Sequence, residues 1–197
     1  MKPWQTVLDF WFGDQEPPET AYQKRWFTGG EELDRIICER FKTQHQRAVE
    51  GELQAWLSHP QGRLAKIILV DQFSRNIYRG EAAAFAWDSL ACQWSEDALK
   101  NGHLDALSAS GCMFCLMPLM HSEHQDHHHL LDREAQQLLK RFPDQEAFLE
   151  SFVQAAQQHR EIIVRFGRYP HRNAVLGRES TAEEADYLAG DAARFGQ

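Results

Sequence analysis

The sequence predicts an all-α fold of antiparallel helix hairpins, and three observations predict it. Segment after segment repeats its apolar residues at the 3.6-residue period of a helix, as in Phe148, Phe152, Ala155, Ala156, His159, Ile163 and Phe166. No stretch makes a convincing strand. Glycine or proline closes most of the periodic segments, which are short and recur at about the length of helical-repeat units, although no repeat signature accompanies them.

The opening residues Trp4, Val7, Leu8 and Trp11 share one helix face, which Gly13 ends. After Pro17 and Pro18, the aromatic segment Tyr22, Trp26 and Phe27 is closed by Gly29 and Gly30. Aromatic side chains at this density are core material, and they also suit a ligand groove. Glu31 to Glu50 reads as a long helix through Leu33, Ile36, Ile37, Phe41 and Ala48. Its first turn holds Glu31, Glu32 and Asp34, where the helix dipole favours them. Leu53, Trp56 and Leu57 make a short turn, which Pro60 and Gly62 separate from the next element.

That element, Arg63 to Phe73, brings Leu64, Ile68, Asp71 and Arg75 at intervals of four, three and four. A helix continuing that far puts a carboxylate and a guanidinium on its inward stripe. The simple reading is a self-contained i,i+4 ion pair; the functional one turns Arg75 into a polar cavity with Asp71 orienting it. Asp88 is placed to cap a helix that runs to Lys100 and stops at Asn101-Gly102. Met113 to Met120 is mostly apolar, with Pro118 expected to start a new turn and Ser122 to cap the helix after it. His121 falls in line with this apolar stripe, next to Glu123. The histidines between His124 and His129 are nearly consecutive and point in different directions, so the run reads as an exposed face. The helix goes on through Leu131, Ala135, Leu138 and Leu139 to Pro143. Cys112 and Cys115 form one CxxC inside an apolar run, without the second pair of a structural zinc site, and read as buried thiols.

The densest cluster of polar chemistry is His159 to Asn173. His159 lies on an apolar stripe, and Gly167 suits a left-handed helix end. Around it, Arg165, Arg168, His171, Arg172 and Asn173 form a cationic loop. These charges either complement the helix carbonyls or present planar donors to an anion. A last helix with a capping box, Ser180–Glu183 or Thr181–Glu184, carries Ala185, Tyr187, Leu188 and Ala192. Three helices thus bring polar groups inward, Asp71 with Arg75, His121 with Glu123, and His159, and they are predicted to meet in one polar pocket.

Composition narrows the rest. The 197 residues carry a net charge of −8, with 43% hydrophobic and 25% charged residues. This is ordinary globular usage, and the acidic balance argues against a nucleic-acid or acidic-membrane binder. No apolar run reaches the length of a membrane span, and the start lacks the pattern of a signal peptide, so a cytoplasmic single domain over 1–197 is expected.

Four stretches taken together, LDFWFG with RWF, LVDQFSRNIYRG, FCLMPLMHSE and HREIIVRFGRYPHRNAVLGRESTAEE, resemble the DUF924 family of bacterial proteins of unknown function. The resemblance spans nearly the whole chain. It implies a compact, tetratricopeptide-repeat-like right-handed superhelix and supplies no function. Its pattern carries over Asp71, Gln72, Arg75, Asn76, His121, Ser122, Glu123, His159, Arg165, Gly167, Arg168, Pro170, His171, Arg172 and Asn173. Ser74 stands where the family usually has proline, and His124 where it often has an acidic residue.

The function expected is a polar pocket for a small anionic ligand, a phosphate ester or a carboxylate, with acid–base chemistry as an enzymatic extension. Its ligand-binding candidates are Arg75, Asn76, Arg165, Arg168, Arg172, Asn173, Trp26 and Phe27. Its catalytic candidates are His121, Glu123, His159 and His171, with Glu123 as the orienting carboxylate and no cofactor or metal required. The alternative is a non-catalytic repeat-like module that holds an acidic peptide or protein partner. A third reading is a metal-assisted hydrolase built on the same four catalytic candidates.

Overall fold

A computed structural model describes residues 2–18 and 20–190, and among these every regular element is helical. The helices are α1 (Gln5–Phe12), α2 (Thr20–Thr28), α3 (Glu31–Val49), α4 (Pro60–Ile67), α5 (Phe73–Ile77), α6 (Asp88–Lys100), α7 (Ala109–His121), α8 (Gln125–Arg141), α9 (Glu146–Phe166) and α10 (Ala182–Ala189). Short links force consecutive helices to double back, and α7 packs on α8 and α8 on α9.

Two helices form the centre. Every residue from Gly62 to Asp71 is buried, and so is every residue from Ala109 to Met120. A helix covered on all sides has no single inward stripe, which replaces the stripe expected for Leu64, Ile68 and Asp71. Around α4 and α7 pack α1, α6, α8 and α9, while α3 lies along α5. Pro60 fills the first helical position of α4, where its missing N–H is no loss. Gly62 lies inside α4 and does not separate it from the preceding turn. A Cβ on Gly62 would sit 2.5 Å from the Trp56 carbonyl oxygen, so only glycine lets that turn close on α4.

Between α4 and α5 the helix widens for one turn over Ile68–Gln72. The axis continues, but the extra residue rotates α5 by about 100° against a regular helix. Pro118 sits within α7 and does not start a new turn. It lacks the N–H that would bond the Phe114 carbonyl, and burial on every side of α7 outweighs that one loss. Its own carbonyl accepts a hydrogen bond from the Cys92 thiol of α6 at 3.1 Å.

Trp11, Trp26, Phe73 and Phe114 join α1, α2, α5 and α7, with Trp26 and Phe114 4.7 Å apart edge to face. The Trp26 indole donates to the Trp11 carbonyl at 2.9 Å, which fixes α2 over this cluster. All four cysteines are free; Cys112 and Cys115 are buried, as the apolar run predicts, and so is Cys92. Burial raises the Cys112 thiol to about 12.

Several caps differ from expectation. Ser122 closes α7, and its hydroxyl accepts from the His124 backbone N–H at 3.1 Å instead of starting α8. Asp88 is the first residue of α6 and turns its carboxylate elsewhere. The His124–His129 run is not wholly exposed: His128 is buried and its Nε2 donates to the Ser122 carbonyl at 2.8 Å. Gly167 ends α9 at φ 69°, and Thr181 with Glu184 forms the capping box of α10, both as predicted. Ala192 lies outside the described residues.

Candidate functional site

A cavity of about 730 Å³ opens between α2, α5, α7 and α9. Its apolar wall follows from helix periodicity. Met113, Met117 and Met120 recur at four and three on α7, and Phe148, Phe152 and Ala155 at four and three on α9. Trp11, Trp26 and Phe27 complete it. Thioethers and rings make such a wall adaptable in shape.

The polar end is built on the wide turn. Asp71 is 1% exposed, and its Oδ1 accepts from His121 Nδ1 at 2.8 Å. Its Oδ2 accepts from Gln72 Nε2 at 2.6 Å, and Arg75 Nη1 lies 3.3 Å from Oδ1. Arg75 also forks onto Asp88 at 3.1 and 3.0 Å, and Arg172 reaches Asp88 at 3.3 Å and the His121 carbonyl at 3.0 Å. Two carboxylates and two guanidiniums therefore alternate behind the cavity, and their charges cancel.

Burial alone would raise the Asp71 carboxyl, but His121, Arg75 and Gln72 hold it below its ordinary range, so it is ionised. Burial lowers His121 despite the opposing pull of Asp71, which keeps the ring neutral. A carboxylate only accepts, so the His121 proton is on Nδ1 and Nε2 carries a lone pair. Across the cavity, 6.4 Å away between ring centroids, His159 Nδ1 donates to the Ala155 carbonyl at 2.7 Å and is likewise the protonated nitrogen. Burial brings His159 down to about 3.

At the mouth, Arg25 Nη1 donates to the Phe10 carbonyl at 2.9 Å, and its guanidinium lies 5.0 Å from the ring centroids of Phe10 and Tyr22. Asn76 and Arg79 both bond Asp34, at 2.8 Å for Asn76 and 2.6 and 2.8 Å for Arg79. Asp34 therefore does more than meet the dipole of α3.

Of the residues singled out in the sequence, Trp26, Phe27, Arg75, Asn76, His121 and His159 line this cavity. The cationic loop does not reach it. Arg168 forks onto Glu184 at 2.6 and 2.7 Å, Arg165 meets Glu183 at 2.8 Å, and Asn173 reaches Glu184 at 3.3 Å. Glu123 does not orient a histidine: Arg178 holds it at 2.7 and 2.9 Å, and it accepts from the Tyr169 N–H at 2.8 Å. The His171 ring lies 5.5 Å from that of Tyr169. Arg172, Glu123 and His121 border a smaller cavity of about 370 Å³. Among the described residues no three His, Cys, Asp or Glu side chains are grouped to hold a metal ion, so the four catalytic candidates do not form a metal centre.

Sequence reasoning had Asp71 orienting Arg75 and missed that it orients His121; it also passed over the bridging role of Asp88, and Lys24, Arg25 and Arg79 at the mouth. The methionine spacing on α7 was the available signal for the wall. The Asp71–Arg75 contact is the i,i+4 pair the spacing offered, but His121 as a partner of Asp71, and both partners of Asp88, had no local signal because they come from distant parts of the chain.

These features define an all-helical protein with an aromatic and methionine-lined cavity that ends in a buried Asp–His pair. The chain belongs to DUF924, a family of bacterial proteins of unknown function, whose sequence pattern matches residues 7–191. It is similar to a solved structure of a protein of unknown function, ATU0120 from Agrobacterium tumefaciens, at 33% identity and a TM-score of 0.80, over 94% of this chain and 96% of that one. No curated protein matches. No described helix is long and apolar enough to cross a membrane.

Proposed function

We propose that the chain binds a small anionic molecule in the 730 Å³ cavity and that His121, oriented by Asp71, is the acid–base group facing it. One observation carries this reading: a buried carboxylate fixes the tautomer of a neutral imidazole at the inner end of a cavity of ligand size. A merely structural histidine has no need of a cavity at its other edge. Arg25 at the mouth, beside Lys24 and an Arg79 that pairs with Asp34, favours an anionic ligand on a chain of net charge −8. The repeat-like right-handed superhelix and a cytoplasmic setting belong to the same proposal.

Phe27, 64% exposed at the mouth, favours a second reading, a groove for an acidic peptide or protein partner.

A thermal-shift panel of phosphorylated metabolites, nucleotides and carboxylates decides between them. It compares wild type with Arg25→Ala and Arg168→Ala. A ligand that raises the midpoint of wild type and Arg168→Ala, but not of Arg25→Ala, supports the cavity. A ligand lost only in Arg168→Ala returns the site to the loop, and silence across the panel favours the partner.

A further inference from the structure

We infer that the cavity takes an elongated amphiphile, with a hydrogen-bond donor such as a hydroxyl seated on His121 Nε2 and an anionic group against Arg25. This rests on the cavity being the ligand site. It seats the ligand's charge on Arg25 instead of on the expected arginines Arg75, Arg168 and Arg172.

The inner end is unsuited to an anion. The His121 proton is committed to Asp71 through Nδ1, so the edge left to the cavity is a lone pair. The nearest formal charges, Asp71, Arg75, Asp88 and Arg172, already pair among themselves. A carboxylate placed there would meet an acceptor and a second carboxylate one ring away, with no net positive charge to hold it. A hydroxyl would donate to Nε2, and His121 would then be the base toward that same proton.

The outer end is the opposite. Among the described residues, Arg25 meets a backbone carbonyl and two aromatic faces, and no carboxylate. Arg40, which also lacks a carboxylate partner there, lies 4.8 Å from the same Phe10 ring. Two guanidiniums without counter-charge share one ring on a chain that carries 29 acidic residues against 21 basic ones. Arg25 lines the cavity, so its remaining N–H groups are the fork an incoming carboxylate meets. Trp26, Met113, Met117 and Phe148 give the cavity a mainly apolar wall. A ligand charged or polar along its middle would lose solvation there without return.

The test titrates decanoate, its ω-hydroxy derivative and decanol into wild type, His121→Asn and Arg25→Gln by calorimetry. Asparagine keeps an amide N–H near the position of Nδ1 for Asp71 and removes Nε2, and unliganded melting checks that each variant folds. The expected order in wild type is hydroxy acid, then decanoate, then decanol. The hydroxyl is worth about 3- to 10-fold and the carboxylate about 10-fold or more. His121→Asn erases the hydroxyl's advantage only, and Arg25→Gln that of the carboxylate only. Acids that bind equally, and weaken together in His121→Asn, would place the anion at the histidine and overturn this inference while leaving the cavity as the site. No binding by any of the three would overturn this inference alone, while the cavity reading is decided separately by the thermal-shift panel.

Discussion

Asp71 and His121 stand 50 residues apart in the chain and 2.8 Å apart in the fold. The carboxylate comes from a widened turn in one central helix and the imidazole from the last turn of the other. Their hydrogen bond decides which nitrogen of His121 carries the proton.

Long-range proton–nitrogen NMR reads that choice directly. At neutral pH His121 and His159 are expected as Nδ1–H tautomers and His128 as Nε2–H, because their partners are a carboxylate and two backbone carbonyls that only accept. An Nε2–H signal from His121 would remove the basis for its role as an acceptor.

Stability should fall between pH 7 and pH 5. Burial takes His159 from 6.5 to about 3, and burial with nearby Lys42 takes His45 to about 4. Each ring binds a proton more readily when unfolded, so its contribution is complete above about 6.5 and is lost as pH falls toward the folded value. At pH 5 each accounts for roughly 2 kcal/mol. Glu184 is held at about 2 against an ordinary 4.5, chiefly by Arg168, so its contribution is lost lower, as pH falls from 4.5 toward 2. Urea midpoints at the two pH values check this, and equal midpoints would contradict it.

Gly62→Ala should be among the most damaging single methyl additions. The new Cβ would fall 2.5 Å from the Trp56 carbonyl and 3.1 Å from the Trp4 ring, both in packed surroundings. Overpacking of this kind costs about 1–3 kcal/mol, more where backbone must move. Thermal melts followed by circular dichroism measure it, and an unchanged midpoint would mean the turn before α4 relaxes freely.

Lys66→Met should stabilise the fold. Lys66 is fully buried, with Nζ 4.3 Å from the Trp94 ring centroid and no hydrogen-bond partner among the described residues. Burial, then Arg63, brings its pKa down to about 8. Methionine keeps similar volume without a charge to desolvate, for a gain of about 1–3 kcal/mol. A loss in urea denaturation would show that the cation–ring contact outweighs desolvation.

The helices and most of their ends were legible because they depend on local pattern. Gly167 as a left-handed stop and Thr181–Glu184 as a capping box need only neighbouring residues. The meeting of Arg75, His121 and His159 was also legible, since polar residues on apolar stripes have few places to go. The role of the cationic loop was not. Arg168 finds Glu184 16 residues away, and Arg178, unremarkable in sequence, takes Glu123 across 55. An arginine cluster looks the same on paper whether its counter-charges come from the protein or from a ligand. Pro118 misled for a related reason: local propensity disfavours it, and burial around α7 overrules propensity.

The widened turn at Ile68–Gln72 works as a frame shift written in space. Removing one residue from it would leave a smooth helix of ordinary pitch, yet every side chain beyond would swing by about 100°. Arg75 would leave Asp88, and Asn76 would leave Asp34. A single-codon deletion there would thus separate two properties that point mutations tend to blur, a helix that still folds and a polar end that is no longer assembled.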